Sequence, residues 1–337
     1  MDLPADAPAA HAPRPDADAE PGGFVVEIAP GERIHFLDWG GPPATTGYGV
    51  LLVHGLGGTA WGWTAVARRL RGAVRAVAAD LRGHGLSDAP TDPYDLDTLA
   101  SDLVAVAEGA ELVDGSGARG DRQVFLVGHG YGGMIAAWAA ADLADRCAGL
   151  VLVDGGWQDV ADETGLTPAE FLCELAEPPE VLASMEAYLA DRRDWDPRHW
   201  DADEERAARA TVVEVPAGHV VPAVRPHALE RSVEAIFQYR PLEVLVGLAI
   251  PIMALVAVDD EAGLGTVPPK ASALLAVQAA RRAAGRAPLE VARFPADGHN
   301  LPRYRPDELT GAILRLAAPA GDEGPNRRYH RRRRGVR

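Results

Sequence analysis

Residues 127–133 read Val-Gly-His-Gly-Tyr-Gly-Gly. In the pattern Gly-x-Ser-x-Gly a strand ends, the chain turns sharply, and a serine on the turn presents its oxygen to substrate as a helix begins. The flanking glycines are here as Gly128 and Gly132, but the nucleophile position holds Gly130. Without an Oγ this residue offers no covalent acyl route, and deleting such a nucleophile costs on the order of 10⁶ in kcat. Roughly 10³–10⁴ over water can survive through binding and main-chain donors. The backbone tolerates the change well. The turn strains a non-glycine residue by roughly 1–3 kcal/mol, and glycine adopts such conformations without a Cβ clash.

The elements that must hold this turn are a strand over 123–127 and a helix over 134–143. Upstream, 24–28 and 33–39 read as two short strands joined through Pro30-Gly31, and 48–54 and 74–79 as buried apolar strands. Helical spacing covers 61–71 and 98–109, and another apolar strand covers 149–154. Buried strands alternating with helices predict an α/β fold whose mostly parallel, doubly wound sheet is covered on both faces. The rhythm breaks over 157–245, where acidic helical segments (169–175, 180–191, 204–214, 227–238) are separated by prolines. This stretch reads as an inserted helical lid. Strands at 251–258 and 289–294 and helices at 271–284 and 307–316 then restore the alternation. The expected division is a core of 24–156 and 246–318, a lid of 157–245, and disordered tails over 1–23 and 319–337.

At 337 residues the chain has room for one large domain with an insertion. Its net charge is −16, and subtracting the seven arginines of 325–337 leaves the rest near −23. A body this acidic argues against a nucleic-acid surface, which needs clustered Lys and Arg, and the Arg-rich end reads as a solvated tail. Residues 1–23 have neither the basic start nor the apolar core of a signal peptide. No run approaches the ~18 apolar residues of a membrane span, so a cytoplasmic, soluble protein is expected. Cys147 and Cys173 stand in no metal or redox spacing, and neither metal nor cofactor is expected. Lys270 is the single lysine against 32 arginines, which reads as the bias of a GC-rich genome.

Three further landmarks accompany the elbow: His54-Gly55-Leu56-Gly57-Gly58 after a strand, residues 80–88 (Asp-Leu-Arg-Gly-His-Gly-Leu-Ser-Asp), and Asp297-Gly298-His299 after the last strand. Each is weak alone; in this order and spacing the chain resembles the α/β-hydrolase superfamily over residues 24–317. The resemblance implies an oxyanion hole made by the main-chain N–H groups of Tyr131 and Leu56, which Gly130 leaves untouched. It implies His299 as the catalytic histidine. The acid is expected after the strand 251–258, at Asp260, with Asp259 as fallback and Asp154, at the end of the preceding strand, as a variant position. His54 and His84 match structural histidines, and His129, before the elbow, is expected to point away from substrate. Aromatic residues of the insertion (Trp157, Phe171, Tyr188, Trp195, Trp200, Phe237, Tyr239) serve equally as pocket lining or lid core.

Three readings stay open. The chain is an enzyme that acts on a small, mostly apolar molecule without a covalent serine, using His299 and Asp260 as a general base. Alternatively it is an inactive small-molecule binder or interaction protein on the same fold. Or it is an ordinary serine hydrolase whose nucleophile was replaced by Gly130, a change that one base can make. The partner expected in every case is a small molecule, with no nucleic acid and no membrane, and oligomeric state is left open.

Overall fold

The computed structural model describes residues 19–42, 47–114, 122–258, 269–295 and 298–317. Its frame is an eight-stranded sheet. The first half runs β1 (Gly22–Ala29), β2 (Glu32–Asp38), β3 (Tyr48–Val53), helix α1 (Thr64–Leu70), β4 (Arg75–Ala79) and α2 (Leu96–Gly109). It continues through β5 (Gln123–His129), α3 (Tyr131–Leu143) and β6 (Cys147–Val153). After an insertion the sheet resumes with β9 (Ile252–Val258), α10 (Pro269–Ala283), β10 (Glu290–Pro295), α11 (Leu301–Tyr304) and α12 (Pro306–Ala317). The strand order is β1-β2-β4-β3-β5-β6-β9-β10, antiparallel at β1–β2 and β2–β4 and parallel elsewhere. This is the α/β architecture expected from the alternation of elements.

The sequence of β3 shows why the sheet is covered on both faces. Val50 and Leu52 enter one core cluster, while Leu51 and Val53 enter the other, and all four are fully buried. Successive side chains of a strand point to opposite faces, so a run apolar at every position requires helices above and below. Helix α3 is apolar nearly all round and lies within the larger cluster, as a helix without a polar face must.

Between β6 and β9 lie α4 (Val160–Thr164), α5 (Pro168–Glu174), α6 (Met185–Trp195), α7 (Ala202–Ala210), α8 (Pro226–Gln238) and α9 (Pro241–Leu245). A two-stranded antiparallel hairpin, β7 (Val212–Glu214) and β8 (Val220–Pro222), joins them, where the sequence had suggested only helices. Ser184 caps α6 by accepting from the Ala187 N–H, so that helix starts five residues later than its acidic pattern suggests. The insertion is not a separate body. Val233, Ile236, Tyr239 and Leu245 join the main core, as does Trp157, which donates its Nε1–H to the Lys270 carbonyl at 3.1 Å. Cys147 is buried in β6 and Cys173 is exposed on α5. No helix among the described residues is long and apolar enough to cross a membrane. Residues 1–18 and 318–337, including the arginine-rich end, lie outside the described residues, but the expected N-terminal tail of 1–23 is too long, because β1 starts at Gly22 and Glu20 pairs with Arg68 and Arg206.

Candidate active site

The parallel register brings three strand ends level. Val53 pairs with Gly128, and His129 pairs with Val153, so the residues after β3, β5 and β6 share one edge of the sheet. Leu56, Gly130 and Asp154 all emerge there.

Gly130 is the turn itself, with φ 53° and ψ −117°, a backbone conformation that suits glycine. Its N–H donates to the Val153 carbonyl at 3.0 Å, tying the turn to the end of β6. Helix α3 starts immediately afterwards, and the Tyr131 N–H belongs to its first turn, whose amides lack intrahelical acceptors. The helix can begin so abruptly because its neighbours are bare. A Cβ on Gly132 would lie 2.4 Å from the His54 carbonyl oxygen, and one on Gly128 would lie 2.3 Å from that of Gly132.

His299 stands beside the turn. A Cβ built on Gly130 would sit 3.1 Å from His299 Nε2 and 3.4 Å from its Cε1. The opposite ring nitrogen, Nδ1, lies 2.7 Å from Asp154 Oδ2. An ionised carboxylate only accepts, so Nδ1 carries a proton and Nε2 is the nitrogen that faces the elbow.

The carboxylate paired with His299 is therefore Asp154, the variant position at the end of β6. Asp260 and Asp259, where the acid was expected, lie outside the described residues. Asp154 is fully buried and its oxygens are fully engaged. Oδ1 accepts from the Ala257 N–H at 3.0 Å, and Oδ2 accepts from His299 and from Lys270 Nζ at 2.6 Å. Burial alone would raise its pKa; the His299 hydrogen bond and the Lys270 charge outweigh this and hold the carboxyl below the usual range. The chain's one lysine thus has a specific place, which its reading as a compositional bias had missed.

The other histidines support this geometry. His129 does not point away from the site. Its ring packs against that of His299 at 4.4 Å between centroids, and its Nε2–H donates to the His299 carbonyl at 2.9 Å. Burial depresses its pKa to about 3, so it is a neutral prop for the His299 loop. His54 is buried and structural: its Nε2 accepts from the Leu81 N–H at 3.0 Å, and its Nδ1–H donates to the Gly55 carbonyl at 2.7 Å. His84 packs beside it and is likewise held neutral by burial, with its pKa depressed to about 3. Below them Asp80 fastens the turns after β3 and β4, accepting from the Ala60 and Leu86 N–H groups and from His35 Nδ1. Leu56 sits on the turn after β3, which closes through the Gly58 N–H to the Gly55 carbonyl at 3.0 Å.

His299, His129 and Leu56 line a cavity of about 470 Å³ roofed by the insertion. Tyr188 and Trp200 line it too, whereas Trp157, Phe237 and Tyr239 belong to the core and Trp195 is 76% exposed. The wall is less apolar than the sequence suggested, because Glu177, Arg192, Glu204 and Arg303 all contribute to it.

Comparison with known proteins bears on the family and the fold. The model of a family described as "Alpha/beta hydrolase family" matches residues 50–312. A non-heme chloroperoxidase from Streptomyces lividans is 33% identical over 131 residues, 38% of this chain and 43% of that protein. An N-formylmaleamate deformylase from Pseudomonas putida is 36% identical over 127 residues, 37% of this chain and 42% of that one. The matched segments thus span about two fifths of these relatives' own length. Among solved structures, an E-2-(acetamidomethylene)succinate hydrolase superposes with a TM-score of 0.66 at 20% identity, covering 88% of this chain and 98% of that one. At that identity the likeness speaks for the fold.

Proposed function

The chain belongs to the α/β-hydrolase family, and from that premise we propose that it hydrolyses a small carbonyl substrate with water as the direct nucleophile. The observation that carries this reading is the room at Gly130: no side chain of residue 130 stands before His299 Nε2, which lies 3.1 Å from where a Cβ would be and belongs to a ring oriented by a buried carboxylate. A water in the open space beside that position, clear of Gly130 Cα and hydrogen-bonded to Nε2, is placed as a general base requires, at ~2.6–3.2 Å. His299 Nε2 takes one proton as the water oxygen bonds to the carbonyl carbon. The carbonyl oxygen becomes an oxyanion, held by the main-chain N–H groups of Tyr131 and Leu56, which need no reorganisation at that moment. His299 then returns the proton to the leaving group as the tetrahedral adduct collapses and the scissile bond breaks. Asp154 keeps the imidazole in the required tautomer and stabilises the imidazolium. The insertion acts as the lid over this step and limits the substrate to a small molecule.

The test compares the native protein with His299→Gln on short-chain aryl esters, alongside fluorophosphonate labelling. Native turnover is expected to fall by roughly 10²–10⁴ in the variant, and the native protein is expected to remain unlabelled. Covalent labelling of a cavity serine, or turnover unchanged in His299→Gln, overturns the mechanism. The reading as a serine hydrolase that has lost its nucleophile has one observation in its favour: a histidine paired with a buried carboxylate stands beside Gly130. The Gly130→Ser experiment developed below decides between them.

A further inference from the structure

The cavity wall carries charge that the hydrolytic step does not use. Arg303 follows His299 by four residues, on α11, and its side chain is only 11% exposed. Its guanidinium lies against two rings, 5.7 Å from the centroid of Trp200 and 5.9 Å from that of Tyr304, which fixes its plane. One Nη2–H donates to the Asp196 carbonyl at 3.0 Å. The Nε atom is buried yet makes no hydrogen bond; its contacts are ion-pair distances, 3.4 Å to Glu204 Oε2 and 3.5 Å to Asp196 Oδ2. Asp196 is otherwise committed, since its Oδ2 accepts from His199 Nδ1 at 2.8 Å. Glu204, on α7, is the loosely held partner. The second arginine of the wall, Arg192, differs: it is closely paired with Glu177 and stacked on Tyr188 at 4.8 Å.

A buried guanidinium with an unmade hydrogen bond and a displaceable carboxylate beside it is a binding site for a planar anion. We propose that the cavity takes substrates bearing a free carboxylate in addition to the scissile carbonyl, and that this carboxylate displaces Glu204 from Arg303 while Glu204 takes up a proton. This rests on the reading of the cavity beside His299 as the substrate site. The environment of Glu204 supports the exchange. Burial pushes its carboxyl up to about 7; Arg303 pulls it down, while Asp201 and Asp203 of the same segment and Asp196 from the turn after α6 add to the rise. Other charges near α7 are already engaged: Arg68 of α1 pairs with Asp203, and Arg206 with Glu20. On α6, Arg192 is held by Glu177 and Asp191. His299, which lines the same cavity, is paired with Asp154. Near neutral pH, therefore, Glu204 can be neutralised without unpairing any other acid.

The test measures binding, not turnover, so it stands or falls separately from the hydrolytic mechanism. Hexanoate and the uncharged isostere hexanamide are titrated into the full chain by calorimetry between pH 6 and pH 9. Hexanoate is expected to bind at least tenfold more tightly than hexanamide at pH 6, and to weaken about tenfold per pH unit above 7 as Glu204 ionises and competes. Glu204→Gln is expected to remove that slope while keeping the preference for the acid. Arg303→Gln is expected to abolish the preference, with Arg303→Lys restoring part of it. In His299→Gln the slope should persist. Equal affinities for acid and amide at pH 6, or a slope unchanged in Glu204→Gln, overturns the proposal, as does a slope that vanishes in His299→Gln. Because Glu204→Gln removes only a proton-binding oxygen, the proposal remains testable even if the Arg303 variants fail to fold.

Discussion

Replacing Gly130 with serine separates geometry from chemistry in one step. The cost can be worked from the backbone: a residue with a Cβ at φ 53° and ψ −117° is strained by roughly 1–3 kcal/mol. In a chain of this size that lowers Tm by about 2–6 °C. The new Cβ also meets His299 Nε2 at 3.1 Å, tighter than an ordinary contact. The imidazole can give way, because its side chain is 57% exposed and only its Nδ1 side is anchored to Asp154. The expected result is a folded, slightly less stable protein whose serine hydroxyl lies within reach of a histidine that already has its acid. Since losing a triad serine costs on the order of 10⁶ in kcat, regaining one should raise aryl-ester turnover by at least ~10²-fold even with imperfect alignment. The assay is release of the aryl alcohol, with fluorophosphonate labelling as a second readout and circular dichroism to establish folding. A folded variant that gains neither turnover nor label would refute the claim that the surrounding machinery is intact.

Other perturbations probe the same network from its edges. Asp154→Asn removes the acceptor that sets the His299 tautomer and leaves Lys270 without its partner; turnover should fall by ~10²–10⁴ with the fold retained, measured in both native and Gly130→Ser backgrounds. Lys270→Met removes one of the two cationic partners that hold the Asp154 carboxyl low, so that carboxyl should titrate at higher pH in NMR of the labelled side chain; an unmoved titration would show that the lysine has no hold on Asp154. For stability, the depressed pKa of Asp154 means that its contribution is present above the unfolded value near ~3.9 and is lost as pH falls through the lower folded value. Glu204 has the opposite sign. Its carboxyl is raised to about 7, so its contribution is full below its unfolded value and is lost as pH rises to 7. Glu204→Gln should therefore gain on the order of 1–3 kcal/mol over the native protein above pH 7 in denaturant titrations, and no gain would show that this carboxyl is not buried.

The sheet and its elbow turn were legible because parallel strands buried on both faces leave apolar runs that few other structures require, as β3 and β6 do. Gly130, Tyr131, Leu56 and His299 were legible because each is fixed by its offset from a strand end. The acid was not fixed in this way. β6 and β9 are neighbours and end at the same edge of the sheet, so a carboxylate after either strand can reach the loop that carries His299, and sequence offset cannot choose between them. The β7–β8 hairpin escaped notice because each strand is three residues long, too short for an alternating pattern to emerge. Glu204 and Arg303 were also hidden. Charges on an amphipathic helix look like a solvated face, and only tertiary packing reveals that these two, 99 positions apart in the chain, meet over one cavity.

The choice of Asp154 has a mechanical consequence. The vacant nucleophile position and the base that faces it both hang from the end of β6. The Gly130 N–H is bonded to Val153, the next residue is the acid of His299, and Gly155 packs so closely that a Cβ there would lie 2.6 Å from Gly130 Cα. An acid after β9 would have joined the histidine to one strand and the elbow to another, so that any slip between strands would alter the distance from base to reacting atom. Here one rigid strand end sets both. Buried strands of a close-packed core do not deform continuously, so the Gly130 turn and the Asp154 anchor on either side of the 3.1 Å spacing are set by the sheet, while the imidazole between them keeps some freedom on its exposed side. Glycine at 130 leaves the Gly130 N–H bond to Val153 and the His299–Asp154 pair in place, so under the proposed mechanism the base stays beside the turn whether a water or an introduced serine hydroxyl stands before it.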